Sequence, residues 1–367
     1  MIEKIEIRII KLPLVEHFET SFGRIYEREI LLISVFSDGI IAFSESATDK
    51  DPLYSYENNA TALHILEEYI IPLLFADKIE DPINFKRNCS FIKGHNMAKS
   101  AMELALWDLK AKKMGQPLYK IWGGVKNGVI SGVSIGIKDS LDELNGIIEK
   151  RLEEGYQRIK LKIKPGKDTI ILSSMRKMHA GICLSVDCNA AYGIEHAPLF
   201  KEMDAYKLLM IEQPLAHDDV YYHSVLQGDI ATDICLDESI TGMHKASEAI
   251  ELGSCRVINI KIGRVGGYIE AKEIHDYCAS RRIPVWCGGM LESGIGRAFN
   301  VALATLPDFT LPNDISETRR YWSKDIIDHE FIIRKGLIEV PQGVGIGVIP
   351  DFDFIESIAI YRKNYHH

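Results

Sequence analysis

Residues 183–187, Cys183-Leu184-Ser185-Val186-Asp187, form a short apolar run that stops on a carboxylate, and the pattern returns twice. Leu208-Leu209-Met210-Ile211-Glu212 ends on Glu212 and is followed by Gln213-Pro214. Ile234-Cys235-Leu236-Asp237 ends on Asp237 and is followed by Glu238-Ser239. The acids stand 25 residues apart, enough for one strand and one crossover helix between parallel neighbours. Working outward, similar runs recur at Val129–Ser134, Arg158–Ile163, Val257–Lys261, Pro284–Cys287 and Phe309–Asp314. Eight such βα units predict an α/β chain folded as a (β/α)₈ barrel. An open doubly wound sheet would carry a G-x-G-x-x-G turn after its first strand. Gly263-Arg264-Val265-Gly266-Gly267 departs from that spacing and no clear helix follows Gly343–Gly347, so both read as turns.

The period is missing before about residue 128. Glu3–Ile10 alternates, and Ile30–Val35 is an apolar run before the turn Ser37-Asp38-Gly39, so both read as strands. Ser55 reads as the cap of a helix carrying Leu63, Ile65 and Leu66, closed at Ile71-Pro72. Ser100–Met114 places Ala101, Leu104, Ala105 and Leu109 on one stripe and ends at Gly115, with Pro117 beyond. This first part is α+β. The 367 residues carry 43 Lys and Arg against 52 Asp and Glu, a net charge of −9 that argues against a nucleic-acid partner. No apolar run approaches the ~18 residues of a membrane span. The alternating start, Met1–Glu6, does not read as a signal peptide. The seven cysteines contain no C-x-x-C, so the expectation is a reduced, cytoplasmic protein without disulfides or zinc. A symmetric homo-oligomer is the default for such a chain.

In a barrel, strand ends of one direction share the C-terminal rim, where active sites lie. Asp187, Glu212 and Asp237 therefore converge there, and without a cation they would raise one another's pKa. Oxygen-only ligation suits Mg²⁺, with Mn²⁺ as a substitute, and the missing His and Cys ligands argue against zinc. Asn189 shares the parity of Asp187 and faces inward. Glu238 reads as an outer group orienting the ligands, or as an ordinary acid at a helix start. Lys160 and Lys162, two apart in Ile159–Ile163, share one face of the second strand. Lys261 ends the sixth, across the ring. The chemical reading is a metal that chelates a substrate carboxylate and stabilises an enediolate, with one lysine on each face of the α-carbon. A free lysine, pKa ~10.4, is a poor base at neutral pH. The neighbouring ammonium of Lys160, burial and the metal are expected to lower Lys162.

The set Lys160-Leu161-Lys162, Asp187-Cys188-Asn189, Glu212-Gln213-Pro214, Asp237-Glu238-Ser239 and Lys261 resembles the enolase superfamily in its muconate-lactonizing subgroup. That superfamily pairs a Lys or His base with Mg²⁺. Within it, the chain is most similar to the N-succinylamino acid racemase / o-succinylbenzoate synthase family. Thr20–Gly23, Gly132–Gly136, Asn259-Ile260-Lys261 and Pro284–Met290 carry the likeness along nearly the whole sequence. It implies a (β/α)-barrel of enolase-superfamily type with an N-terminal α+β capping domain. Residues 1–125 would form that domain, 126–316 the barrel, and 317–367 a C-terminal segment completing the cap. Thr20–Gly23 would lie in a loop covering the substrate. The resemblance puts metal ligation on Asp187, Glu212 and Asp237 and acid/base chemistry on Lys162 and Lys261. It puts substrate contacts on Ser134, Lys160, Asn189, Gly289 and Met290, and Arg264 resembles the racemase-competent members. The implied activity is racemisation of N-acylamino acids, dehydration to o-succinylbenzoate as in menaquinone biosynthesis, or both, with a small carboxylate as substrate. Cys188 stands where the family carries a small Ala, and Ile262 where it often has Pro.

Alternatives stay open at this level. Muconate cycloisomerases share the lysines and acids. Dipeptide epimerases carry Asp-x-Asp near the last strand, where this chain has Asn313-Asp314-Ile315. Mandelate-racemase relatives use a His–Asp pair, and Pro284–Cys287 contains no His. A Schiff-base aldolase also places a lysine on the sixth strand but needs no acids on three successive strands. A catalytically silent scaffold would have no use for so many buried charges.

Overall fold

The computed structural model describes residues 1–166 and 168–367. A long antiparallel hairpin opens the chain: β1 (Ile2–Thr20) and β2 (Gly23–Ser37), with β3 (Ile40–Glu45) beside β2. Both hairpin strands outrun the segments legible as strands in the sequence. Their register shifts between Pro13 and Phe18, where Pro13 has no N–H to give the ladder. The last strand, Ala359–His366, lies antiparallel on the far edge of β1, so the two chain ends share one sheet.

Ile5, Ile7, Leu31 and Ile33 of this sheet pack on Ala98, Ala101, Met102 and Ala105 of the helix Asn96–Lys113. That helix starts before Ser100, behind a left-handed His95, and the Glu57 carboxylate accepts from the N–H groups of Met97 and Ala98. The expected stripe divides. Ala101, Ala105 and Leu109 face the sheet, whereas Leu104 and Trp107 belong to the barrel core. Ser55 is not the cap of the earlier helix: Asn58 caps Asn59–Ile65. Pro72 does not end the helical path either. A π-turn over Leu66–Ile70, with Ile71 N–H on the Leu66 carbonyl, carries the chain into Ile71–Ala76. The wider turn accommodates the ring and its missing donor.

The run Val129–Ser134 is two strands. β4 (Gly128–Ile130) leaves the barrel, while β5 (Val133–Ile135) begins it. Gly132 between them lies in a tight spot, where a Cβ would come to 3.0 Å from the Arg158 guanidinium and 3.2 Å from the Asn313 carbonyl. β6 (Ile159–Lys162), β7 (Leu184–Asp187), β8 (Ile211–Glu212), β9 (Ile234–Leu236), β10 (Val257–Ile260) and β11 (Val285–Cys287) follow in sequence order. All seven are parallel and curl as a barrel sheet. The eighth run, Phe309–Asp314, forms no full strand, because Pro312 interrupts its donors. It closes the ring through bridges to Val285 and Ser131. The Asn313 amide joins the two edges, accepting from Cys287 N–H at 2.7 Å and donating to the Ile130 carbonyl at 3.0 Å. β12 (Ile333–Arg334) and β13 (Leu337–Glu339) form a small sheet with β4.

The hairpin tip reaches the barrel mouth. Ile137 N–H donates to the Glu19 carbonyl at 3.0 Å, and Gly136 lies so close to Glu19 that a Cβ would meet its backbone at 2.9 Å. Among the described residues, no helix is long and apolar enough to cross a membrane.

Candidate active site

A cavity of about 880 Å³, including its open mouth, lies under the hairpin tip at the C-terminal ends of the barrel strands. Ser134, Lys160, Lys162, Asn189, Lys261, Gly289 and Met290 line it, with Asp314 from the closing segment. Thr20, Phe22, Leu53 and Tyr54 cover it from the N-terminal region. β6 and β10 stand four positions apart either way around the ring, which sets Lys162 against Lys261.

Asp187, Glu212 and Asp237 are at most 1 % exposed. Each reaches the cavity wall through a lysine. Lys162 Nζ donates to Asp187 Oδ2 at 2.6 Å and to Asn189 Oδ1 at 2.7 Å. Lys160 Nζ lies 2.8 Å from Glu212, 2.6 Å from Asp314 and 3.2 Å from Asp187. Lys261 Nζ donates to Asp237 Oδ2 at 2.8 Å. Asn189 has φ +43°, turns its N–H back to Asp187 Oδ1 at 3.0 Å and donates its amide to Glu238 Oε1 at 3.0 Å. Gln213 accepts from Asp237 N–H at 3.0 Å and so fixes the fifth strand end.

These contacts correct one expectation. Lys160 is not a free ammonium beside Lys162, because three carboxylates surround it. Burial works against its charge, but Asp314, Glu212 and Asp187 outweigh burial and hold its pKa well above the ordinary value. Lys261 is likewise raised, since Asp237 overcomes the cost of burial. Burial would also raise Asp187, yet Lys162 and Lys160 keep it below the usual range. Glu212 is pushed up to about 7 by burial and by Asp187. Glu238 is pushed up to about 8 by burial and by Asp237 and Asp187.

Arg264, expected among the substrate contacts, does not line the cavity. It sits in the helical turn Ile262–Val265, which rotates its guanidinium onto Asp237, the Ile240 carbonyl and the Asn259 carbonyl.

The donor set fits a hard divalent cation. Asp187, Glu212 and Asp237 offer only oxygen, and Glu238 leaves Oε2 buried without a hydrogen-bond partner. Among the described residues, no three His, Cys, Asp or Glu side chains already form a closed cage. Lysines and Arg264 engage the acids instead.

Residues 4–123 match the mandelate racemase / muconate lactonizing enzyme N-terminal domain, and residues 144–354 match the enolase C-terminal domain-like family. The chain is 45 % identical to an o-succinylbenzoate synthase of Geobacillus kaustophilus over 366 residues, covering 100 % of this chain and 98 % of that one. It is 44 % identical to an N-succinylamino acid racemase of Thermus thermophilus, covering 99 % and 98 %. Among solved structures, an enolase-superfamily member from Listeria innocua superposes with a TM-score of 0.96 at 38 % identity, covering 100 % and 99 %. The chain belongs to the o-succinylbenzoate synthase / N-succinylamino acid racemase family of the enolase superfamily.

For this family member, two polar groups at the site escaped sequence reasoning. Asp314 carries the very signal used for the other acids, a carboxylate closing an apolar run. Tyr54 carries none, because its loop has no period. Its hydroxyl donates to Asp237 Oδ1 at 2.9 Å.

Proposed function

We propose that this cavity moves the proton α to a substrate carboxylate, racemising N-succinylamino acids and dehydrating a related substrate to o-succinylbenzoate. The observation that carries the reading is the opposition of Lys162 and Lys261 across one cavity. Asp187, Glu212 and Asp237 would hold Mg²⁺, or Mn²⁺ in its place, which when bound supplies positive charge for the electron density left on the carboxylate. Lys162 takes the proton from one face, and Lys261, in its ammonium form, returns one to the other. The roles exchange for the opposite enantiomer. Asn189 and Asp187 orient Lys162, while Asp237 orients Lys261. Lys160 and Ser134 line the substrate cavity from the first two strands, both held by Asp314. In dehydration, Lys162 takes the proton and, as its ammonium, returns it to the hydroxyl, which leaves from the same side as water. Lys261 stays an ion-paired cation, a role its contact with Asp237 favours.

The test is deuterium wash-in at the α-carbon of each enantiomer of an N-succinylamino acid in D₂O. Lys162→Ala should exchange one enantiomer, Lys261→Ala only the other, and neither should racemise. Racemisation by either single variant at near wild-type rate would refute the two-base reading.

A further inference from the structure

The two opposed lysines are held differently. Both contacts of Lys162, to Asp187 and Asn189, come from the barrel. Lys261 has one partner in the barrel, Asp237, and one outside it. Its Nζ donates to Tyr54 Oη at 3.1 Å and lies 4.3 Å from the centre of the Tyr54 ring. An ammonium has three donors. Asp237 and Tyr54 take two of those on Lys261, so the third is directed by where Tyr54 sits.

Tyr54 belongs to the segment 46–58, which has no helix or strand. The ends of this loop are fixed. Arg28 pairs with Asp49 and donates to the Thr48 carbonyl at 3.1 Å, while Glu57 caps the helix Asn96–Lys113. Its middle is exposed: Leu53 is 51 % and Tyr56 59 % accessible. Between these two, Tyr54 turns inward, donates to Asp237 and receives a 3.4 Å contact from Arg264. One loop therefore places a wall on the cavity through Leu53 and a hydroxyl on one base through Tyr54.

We propose that, of the two bases, Tyr54 is a positioning residue for Lys261, which it holds directly and through their shared partner Asp237, so that seating of the 46–58 loop weighs more on the Lys261 face of the site than on the Lys162 face. This inference rests on the two-base reading above. An ammonium that keeps its ion pair but loses an orienting acceptor spends less time aimed at the substrate, and lost alignment reads out in turnover more than in binding. For one hydrogen bond to a charged group, the expected effect is about tenfold.

The experiment compares α-deuterium wash-in for the two enantiomers of an N-succinylamino acid with the Mg²⁺-loaded full chain. Lys261→Ala first identifies the enantiomer whose exchange needs Lys261. Tyr54→Phe keeps the ring and removes only the hydroxyl. It should lower kcat for that enantiomer about tenfold, with the other enantiomer and both KM values within about twofold. Leu53→Ala, at a residue that lines the cavity from the same loop with a side chain unable to hydrogen-bond Lys261, should shift KM and leave the ratio of the two exchange rates unchanged. An equal fall for both enantiomers in Tyr54→Phe, a change confined to KM, or a ratio skewed as strongly by Leu53→Ala would overturn the inference and leave the two-base reading standing. Absence of exchange in the wild type would overturn both.

Discussion

Asp314→Asn isolates a charge that the barrel has no other means of balancing. Among the described residues, Asp314 is the one ionic partner of Arg158, whose side chain is fully buried and whose Nε and Nη1 have no hydrogen-bond acceptor. Lys160 also loses an ion pair, but it keeps Glu212 and Asp187. The cost therefore falls mainly on the guanidinium. Removing one member of a buried pair costs about 3–5 kcal/mol. The new amide keeps the volume and can still accept one bond, which places the expected loss near 3 kcal/mol. Adding Arg158→Met should recover a large part of it, because methionine fills the space against Trp286 without a charge to compensate. The assay is urea unfolding followed by tryptophan fluorescence on both variants and the wild type, with the slope checked for constancy. A loss below about 1 kcal/mol would refute the reasoning, and so would a double variant no more stable than Asp314→Asn alone.

Chelation with EDTA should abolish turnover, and Asp187→Asn, Glu212→Gln and Asp237→Asn should each remove most of it while circular dichroism stays native; full activity in excess chelator would refute the metal site. Phe22→Ala, at the hairpin tip over the cavity, should raise KM several-fold with stability within about 0.5 kcal/mol, and a change in stability alone would show that the tip covers nothing. Glu45 is pushed up to about 7, chiefly by burial, while it accepts from Ser293 and Gly296 at the start of the helix Gly294–Ala304. The folded chain thus binds that proton more tightly than the unfolded one, so its stabilisation is full below about pH 4.5 and is lost as pH rises through 7. The wild-type urea midpoint should fall more steeply between pH 5 and 8 than that of Glu45→Gln, and equal slopes would contradict the assignment.

Strand ends and parity made most of the barrel legible. Lys160 and Lys162 on β6, Asp187 and Glu212 on the next two strands and Asp237 just past the third stand where a period of two and a 25-residue repeat place them. The errors have local causes. Val129–Ser134 looks continuous, yet the chain changes sheets between Ile130 and Val133. Phe309–Asp314 looks like its neighbours, yet Pro312 breaks its ladder and leaves closure to isolated bridges and to the backbone and side chain of Asn313. Arg264, by contrast, is placed rather than judged: it follows Lys261 by three, and the helical turn Ile262–Val265 swings its guanidinium onto Asp237. The caps at Asn58 and Glu57 eluded the reading for different reasons. Asn58 competes with nearby Ser55 for the same role, while Glu57 acts on a helix that starts far along the chain.

The reaction was easier to read than the substrate, and the structure gives one reason for both. Every group assigned to proton transfer or metal binding comes from the barrel segment between Lys162 and Lys261, where regular strands make position a matter of counting. Much of the wall around the rest of the substrate comes from elsewhere: Phe22 at the hairpin tip, Leu53 and Tyr54 in the loop before the first helix, and Leu291 and Tyr321 beyond the seventh strand. None of these lies on a periodic element, and none is near another in sequence except Leu53 and Tyr54. The hairpin tip is displaced from its root by the register shift at Pro13–Phe18, so even the strand that carries it does not predict where Phe18 and Phe22 point. Substitutions in these walls can change the accepted acyl group or side chain without moving the lysines, except at Tyr54, which accepts a hydrogen bond from Lys261. That residue is where selection for a substrate and selection for a reaction meet.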